Sequence, residues 1–390
     1  MGWQEEYRAH FPSCVKCVYL DNAYDCGGTD FGISAMERYF EDWVNAAVNV
    51  ERGGPGRAVH FKVIDETRKL IAGLTQAESP DLVAFTRNTN EGLNAILQGF
   101  PFEKEDNIVT DAVEHHSVIM PAVNLAKTKR IEVRVLAEDQ SERILPEDLL
   151  ALCDEHTRMV CVSHVQSATG YRMDLKALGE ECHARGIFLV VDAIQSLGLM
   201  PFKMTDWHVD AVNAAGYKGL NAVNSIGFTV YSKELLKKIW PVYIAAGFVN
   251  DVIHTEDGWD LTCKDPENAR KMENSSLDNP GIYVLHDSLS MLEEVGIENI
   301  YTHVESLYTK MEKGLKELGY DVLSFPEPEE HLASLVVQPA HAKELFEYFR
   351  SKNIAFSLSA GKYLRFSVAG FNNEEDIDTL LKAAAETELR

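Results

Sequence analysis

Between residues 80 and 235, short apolar runs alternate with stretches that have the periodicity of amphipathic helices. Strands that are apolar on both faces and separated by helices indicate a mostly parallel sheet covered on both sides. Only a short connection joins the last two runs, so we predict that these two strands are antiparallel. The predicted strands are 82–86, 107–111, 131–136, 159–165, 187–192, 210–215 and 226–231, and helix-like stretches at 91–100, 117–126 and 175–184 separate several of them.

The pattern changes from about residue 280. We predict one or two amphipathic helices over 281–318, then a strand at 333–338, a helix at 340–352, two short strands near 354–357 and 363–368, and a final helix at 373–388. The chain is therefore predicted to be an α/β protein. A large domain with a seven-stranded sheet covers 16–285, and a small C-terminal α/β domain covers 286–390 together with the N-terminal residues 1–15.

The charge balance restricts the partners of this chain. Its 37 Lys and Arg residues against 61 Asp and Glu residues give a formal charge of −24, which argues against nucleic acid or an anionic membrane as the main partner. We find no signal-peptide pattern and no apolar run long enough to span a membrane, and we predict a soluble cytoplasmic protein. The scattered cysteines suit a reducing compartment. Cys14 and Cys17 lack a second close pair, so no metal site is predicted.

Two charged residues follow apolar strands at the edge where an open parallel sheet binds its ligands. Asp192 ends the run 187–192, and Lys218 follows the run 210–215 among small and neutral residues. Because a buried carboxylate needs donors and an unpaired buried ammonium is costly, the two residues form either an ion pair or part of a binding site. Burial would lower the pKa of the lysine and make its amine a nucleophile.

Two further segments place possible ligand-binding groups at this edge of the sheet. Residues 86–94 lead into a helix whose free N–H groups could bind a phosphate, with Thr89 and Asn90 as side-chain donors; ordinary N-capping is the alternative. His115 and His116 follow the next strand, and an imidazole there could stack on a flat ligand. A phosphate site, a stacking ring, a buried acid and a buried lysine together describe a pocket for pyridoxal 5'-phosphate (PLP).

Six segments occur in an order and spacing that resemble a known family: R87-N-T-N-E-G92, E114-H-H116, S163-H-V-Q-S-A-T-G170, V191-D-A-I-Q195, G216-Y-K-G219 and Y363-L-R-F-S367. The chain resembles the class V group of the fold-type I PLP-dependent aminotransferase superfamily. That group includes cysteine desulfurases, selenocysteine lyases, kynureninases and isopenicillin N epimerase-like proteins. The resemblance runs from residue 19 to the last predicted helix.

The resemblance implies a role for each matching residue. Lys218 and His115 are implied to be catalytic, with Lys218 as the Schiff-base lysine. The residues implied to bind the cofactor are Thr89, Asn90, His115, Asp192, Gln195, Tyr217, Lys218 and Ser276. Those implied to bind the substrate are Arg365, Ser167 and Asn22. Within these sets Asp192 faces the pyridine nitrogen and Gln195 the ring hydroxyl. Arg365 grips the α-carboxylate, for which its planar fork is suited. Ser276 reaches the phosphate of a partner subunit, which implies a homodimer with shared sites.

One departure from the family pattern bears on the reaction. Cysteine desulfurases carry a nucleophilic cysteine on a loop ahead of the arginine, whereas here no cysteine follows Cys263 and that loop offers Ser357 and Ser359. We therefore predict a lyase that acts on a small α-amino acid by β-elimination or C–S or C–Se cleavage, without a persulfide cysteine. A class V aminotransferase or an amino-acid epimerase is the alternative, because both begin with the same steps. A PLP-binding protein that has lost its activity should lack Lys218 or Asp192, and both are present.

A glycine-rich stretch, G53-G-P-G-R57, lacks the G-K-[ST] ending of a nucleotide-binding loop. We interpret it as a flexible loop beside the active site. Arg52, Arg57 and His60 are candidates for binding a second acidic group of the substrate.

Overall fold

The computed structural model describes residues 2–48, 55–137, 142–244, 254–256, 258–259 and 267–389. The strands in this part of the chain are β1 (Val18–Tyr19), β2 (Val83–Thr86), β3 (Asn107–Asp111), β4 (Glu132–Leu136), β5 (Thr157–Ser163), β6 (Phe188–Asp192), β7 (Ala211–Ala215), β8 (Gly227–Tyr231), β9 (His254–Thr255), β10 (Gly258–Trp259), β11 (Val322–Leu323), β12 (Ser334–Val337), β13 (Ile354–Ala355), β14 (Ser357–Ser359) and β15 (Tyr363–Ser367).

The helices in the same residues are α1 (Trp3–Ala9), α2 (Ser13–Lys16), α3 (Asp30–Val48), α4 (Pro55–Thr75), α5 (Thr89–Gly99), α6 (His116–Lys129), α7 (Pro146–Ala151), α8 (Leu175–Ala184), α9 (Lys233–Lys238), α10 (Asn279–Val295), α11 (Ile297–Glu317), α12 (Ala342–Ser351) and α13 (Glu374–Ala385). Short 3₁₀ turns lie at Pro80–Leu82, Ala269–Met272 and Pro328–Glu330.

A seven-stranded sheet runs through the centre of the molecule in the order β2-β8-β7-β6-β5-β3-β4. Its neighbouring strands are parallel except where β8 pairs antiparallel with β2 and β7. The chain reverses between β7 and β8 because their short connection leaves no room for a crossover helix. The predicted mostly parallel sheet and the predicted antiparallel pair are both confirmed.

Helices cover this sheet because its strands are apolar on both faces. Leu189, Val190 and Val191 of β6 are fully buried, and α8 packs against that strand. Helix α5 packs against β7 and β8, whereas α10 packs against α3 and α4. Each buried Val or Leu side chain stabilises the fold by about 1.5–3 kcal/mol relative to exposure to water.

A second, four-stranded antiparallel sheet has the order β11-β12-β15-β14. We predicted two short strands near 354–357 and 363–368, but the structure forms three. The chain pairs first with β1 through β13, parallel to it, and then turns at Phe356 to pair with β15 through β14. The second sheet agrees with the predicted small α/β unit. The domain boundary at residue 285 falls within α10 and stays a prediction.

Two details differ from or refine the sequence predictions. The stretch 281–318 forms two helices, α10 and α11, because Gly296 between them has a φ of +83°, which interrupts the helix. The prediction of a flexible loop at 53–57 is wrong from Pro55 onward, because helix α4 begins at that proline. Proline is suited to the first turn of a helix. In the described residues, no helix is both long and apolar enough to cross a membrane.

Candidate active site

Asp192 and Lys218 lie at the carboxyl edge of the central sheet. Asp192 is the last residue of β6, and Lys218 belongs to the turn that follows β7. Gly198 and Gly219 allow the chain segments after these strands to cross closely. A Cβ at Gly198, where φ is +86°, would lie only 2.0 Å from the Gly219 carbonyl oxygen. This close crossing holds the segment after Asp192 against the Lys218 turn.

The Asp192 carboxylate is buried and has two hydrogen-bond donors. The Ile194 N–H donates to Oδ1 at 3.0 Å, and the Ser117 hydroxyl donates to Oδ2 at 3.1 Å. Burial raises the pKa of Asp192 to about 6, and these two donors and the charge of Lys218 oppose that increase. Asp192 is therefore ionised at neutral pH and can accept a hydrogen bond from a protonated nitrogen.

Lys218 is only 8% exposed. The pKa of its amine is lowered to about 8, mainly by burial and also by the charge of Arg365, while the charges of Asp192, Asp21 and Asp25 oppose the decrease. Its Nζ lies 5.7 Å from the centre of the Tyr217 ring. A large fraction of the amine is therefore deprotonated slightly above neutral pH, as a nucleophile requires.

Helix α5 begins at Thr89, beside this edge of the sheet. Asn88 caps the helix by accepting from the Glu91 N–H at 3.0 Å. Thr89 is buried, and its Oγ1 has no partner among the described residues. Asn90 is exposed and accepts a hydrogen bond from Asn94 at 3.1 Å. A buried hydroxyl without a partner, next to the positive end of a helix dipole, fits an anionic ligand.

His115 caps helix α6 at the end of the loop after β3. Its Nδ1 lies 2.8 Å from the Ser117 Oγ and 3.2 Å from the Ser117 N. Burial lowers the pKa of His115, and the nearby charges of Lys218, His116 and Arg365 add to this effect. The imidazole is therefore neutral at physiological pH, so its two nitrogens have different roles.

Arg365 reaches the same region from β15 in the second sheet. Its Nη1 donates to the Ser167 carbonyl oxygen, and its Nη2 donates to the Ser357 Oγ at 3.3 Å. The Ser357 hydroxyl in turn donates to Asp21 Oδ1. The buried Arg365 Nε has no acceptor among the described residues. Part of the guanidinium is therefore held by the protein, and Nε is left for a ligand.

Two other predicted residues have protein partners, and a third, Asn22, has an amide oxygen without one. The Gln195 side chain donates to the Ala23 carbonyl oxygen at 3.1 Å, and the Tyr217 carbonyl oxygen accepts from the Cys26 N–H at 2.8 Å. Asn22 is buried, and its Oδ1 has no donor among the described residues. An unpaired amide oxygen requires a ligand that donates, such as an ammonium group.

Ser276 lines a separate cavity of about 260 Å³ together with Thr86 and Arg87, close to the start of α5. His60 lies elsewhere, with its Nδ1 2.9 Å from the Tyr283 hydroxyl. Arg52, Cys263 and the side chain of Arg57 lie outside the described part of the chain. The proposed role of His60 in binding a second acidic group gains no support from these contacts.

Sequence reasoning did not identify Asp21, Ser117 or Ser357 as partners of the site. Asp21 and Ser357 could have been suggested by the resemblance, because one precedes Asn22 and the other lies in the segment ahead of Arg365. Ser117 gives no sequence signal, because a serine in the first turn of a helix is common.

A buried carboxyl pair beside Asp192 was also not predicted. Gln166 donates to Glu114 Oε1 at 3.0 Å and to Asp111 Oδ2 at 3.3 Å, and the Ser163 hydroxyl donates to Glu114 Oε2 at 2.5 Å. Burial raises the pKa of both carboxyl groups. The Asp111 charge raises the pKa of Glu114 further, whereas a hydrogen bond with Glu114 lowers the pKa of Asp111.

Comparison with known proteins identifies the family. The family model for class-V aminotransferases matches residues 18–380. The chain belongs to the class-V aminotransferase family. A probable cysteine desulfurase of Methanothermobacter thermautotrophicus is 30% identical to this class-V chain over 305 residues, which are 77% of the chain and 72% of the relative.

Solved structures share the fold of this class-V enzyme. The apo cysteine desulfurase of Thermococcus onnurineus NA1 has a TM-score of 0.86 at 23% identity and covers 98% of this chain and 97% of its own. The cystine C-S lyase C-DES, solved in complex with its reaction product cysteine persulfide, has a TM-score of 0.85 at 19% identity and covers 96% of this chain and 99% of its own. The protein therefore has the fold of fold-type I PLP enzymes.

Class-V enzymes depend on PLP, and the unpartnered groups of this chain fit that cofactor and an amino-acid substrate. Thr89 Oγ1 is a hydrogen-bond donor without an acceptor, which fits a phosphate. Arg365 Nε is also a donor without an acceptor, which fits a carboxylate. The Lys218 amine, with its lowered pKa, would suit the PLP aldehyde. The buried Asp192 carboxylate would suit the pyridine nitrogen.

Proposed function

We propose that this class-V enzyme is a lyase that cleaves a small α-amino acid by β-elimination, at a C–S or C–Se bond, without a persulfide cysteine. The observation that carries the proposal is the position of Ser357. The sequence predicted Ser357 on a loop, but it begins strand β14 directly opposite Arg365, and its hydroxyl donates to Asp21 Oδ1. A hydroxyl that already donates to a carboxylate is a poor acceptor for sulfur. The structural neighbour named a cystine C-S lyase supports C–S cleavage as the reaction.

The cofactor-binding residues follow from their chemistry. Helix α5 and Thr89 bind the phosphate, with Asn90 at the exposed side of the same turn. Asp192 hydrogen-bonds the pyridine nitrogen, and His115 stacks on the ring. Bound PLP acts as an electron sink that stabilises negative charge at the substrate Cα.

Three more residues complete the proposed cofactor site. Gln195 donates to the ring hydroxyl in place of its contact with Ala23. Tyr217 lies beside the Lys218 amine, with its ring centre 5.7 Å from Nζ. Ser276 binds the PLP phosphate of a partner subunit.

Substrate binding uses the groups that the protein leaves unpaired. Arg365 grips the α-carboxylate through Nε, and Ser167 keeps the guanidinium in place through its carbonyl oxygen. Asn22 Oδ1 accepts a hydrogen bond from the substrate amine. Lys218 would take up the α-proton and hold it on Nζ, for which a pKa of about 8 is suited.

We also propose that the active unit is a homodimer. Helix α3 presents an apolar stripe of Ile33, Phe40, Trp43 and Val44, whose exposed fractions are between 52% and 61%. Residues seven and eleven positions apart lie on one face of a helix. A stripe of this kind marks a protein interface, and a second copy of the chain would cover it.

The reaction is tested with purified wild-type enzyme, PLP and a panel of amino acids that includes cysteine and cystine. We expect a visible imine band and release of pyruvate and ammonia, together with sulfide from cysteine or cysteine persulfide from cystine. Mass spectrometry should find no sulfur bound to the protein. Lys218→Ala should lose the band and the turnover, and the exposed Lys343→Ala is the matched control.

Other outcomes would assign a different reaction. Accumulation of pyridoxamine phosphate would make the enzyme an aminotransferase, and racemised substrate would make it an epimerase. Alanine release with a protein-bound persulfide would contradict the lyase proposal. If Lys218→Ala kept the visible band, Lys218 would not be the PLP-binding lysine.

A further inference from the structure

Ser117 links the two groups that the proposed function places at the nitrogen and on the face of the PLP ring. This buried serine is the second residue of α6. Its Oγ lies 2.8 Å from His115 Nδ1 and 3.1 Å from Asp192 Oδ2. Both distances are within the range of a hydrogen bond, so one hydroxyl bridges the imidazole and the carboxylate.

A count of hydrogens decides the direction of this bridge. The Ser117 hydroxyl has a single hydrogen, and an ionised carboxylate can only accept. While Asp192 is ionised, the hydroxyl therefore donates to Oδ2. The Oγ lone pairs then face His115 Nδ1 at 2.8 Å, which is favourable only if Nδ1 carries a hydrogen.

The other tautomer has a weaker contact. A bare Nδ1 accepts the Ser117 N–H at 3.2 Å as the cap of α6, but its lone pair would then oppose those of Oγ at 2.8 Å. The Nδ1–H tautomer therefore gives up the longer cap contact for the shorter contact with Oγ. Because His115 is neutral at physiological pH, the tautomer with hydrogen on Nδ1 leaves Nε2 bare. A bare Nε2 can accept a proton.

We propose that Ser117 is a positioning residue that fixes His115 in the Nδ1–H tautomer as long as Asp192 is ionised. Protonation of Asp192 removes the acceptor of the Ser117 hydrogen, which can then turn to Nδ1 and favour the opposite tautomer. The imidazole keeps one hydrogen in both arrangements. The inference rests on the proposed function for the place of His115 against the PLP ring.

Other charged groups act on these two residues through their charge. Lys218, Arg365 and His116 face His115, whereas Lys218, Glu114 and Tyr217 face Asp192. The charges of these groups change the pH at which His115 and Asp192 ionise. Ser117 is the hydrogen-bond partner of both, so its removal should alter the tautomer without changing the charge of the pocket.

The test compares Ser117→Ala with Ser117→Thr, which keeps the hydroxyl at the same helical position. Two-bond ¹H–¹⁵N spectra of the holoenzyme report the tautomer, and His115→Gln assigns the signals. We expect hydrogen on Nδ1 in the wild type and in Ser117→Thr, and on Nε2 in Ser117→Ala.

Two further measurements accompany the spectra. PLP affinity of the apoenzyme should fall about tenfold in Ser117→Ala, since Asp192 loses a donor, and should stay within about threefold of the wild type in Ser117→Thr. The acidic limb of the kcat/KM profile should move in Ser117→Ala alone.

The same tautomer in all three proteins, or equal behaviour of the alanine and threonine variants, would overturn the proposal. A wild type that forms no visible band with PLP would instead contradict the proposed function. The two failures are therefore distinguishable.

Discussion

Lys218 and Arg365 are both buried cations, but their surroundings affect their charge differently. The Lys218 amine is surrounded so that its charged form is disfavoured, and its pKa falls to about 8. Arg365 stays charged in any environment because a guanidinium does not deprotonate in proteins, and it is held by hydrogen bonds. The first residue is suited to chemistry and the second to binding.

The lowered pKa of Lys218 predicts how fast apoenzyme captures PLP at each pH. Only the deprotonated amine attacks the aldehyde, so the rate constant should rise as pH increases through about 8 and level off above. An ordinary lysine would show a midpoint near ~10.4. Stopped-flow absorbance measures the rate. Asp192→Asn should lower the midpoint, because the Asp192 charge raises the pKa of Lys218; an upward shift would contradict this account.

Ser357→Ala should weaken substrate binding more than turnover. It leaves Arg365 Nη2 without its side-chain acceptor and Asp21 without its donor, and such losses cost about 1–3 kcal/mol. We expect KM to rise about tenfold or more, with a smaller change in kcat. Ser357→Thr should restore most of the affinity, and Ser359→Ala on the same strand is the control. Equal effects on both constants would mean that Ser357 does not position the guanidinium.

At the scale of elements, the start of α5 is placed by close contact with the sheet. A Cβ at Gly92 would lie 2.2 Å from Thr229 Oγ1 and 2.4 Å from Asn213 Oδ1, two buried side chains of β8 and β7. Only glycine allows the helix to approach so closely. The contact sets the height of Thr89 above the sheet.

Gly92→Ala should therefore destabilise the protein by about 1–3 kcal/mol and weaken its affinity for PLP, because the first turn of α5 must move. Thermal unfolding and a PLP titration measure both effects. Gly73→Ala is the matched control: a Cβ there meets nothing within 4 Å in α4, so stability should rise by about 0.5–1 kcal/mol. Equal stability of the two variants would contradict the packing explanation.

At the scale of the whole molecule, the exposed stripe on α3 predicts the oligomeric state. Trp43→Glu places a charge in the proposed interface and should shift the protein toward monomers in sedimentation velocity. If the active sites are shared between subunits, Trp43→Glu should also lower the affinity for PLP. Val135→Glu, on the edge strand β4, is a control of similar exposure. A wild type that is monomeric at micromolar concentration would contradict the dimer.

Much of this fold could be predicted because apolar runs and strands coincide. The strand predicted at 187–192 is β6 to within one residue, and the runs placed Asp192 and Lys218 at the edge of the sheet. Sequence patterns could not predict the contacts of Asp21, Ser117 and Ser357. These residues meet the site through tertiary packing, and Asp21 and Ser357 are 336 positions apart. Helices α3 and α4 were also not predicted.

The pairing of β1 with β13 has a consequence for synthesis of the chain on the ribosome. Asp21 leaves the exit tunnel 336 residues ahead of its partner Ser357, and Arg365 follows Ser357. The central sheet can form first, since its strands all precede residue 232. The proposed substrate site is therefore completed only after the central sheet, and a product truncated before β14 could not complete it.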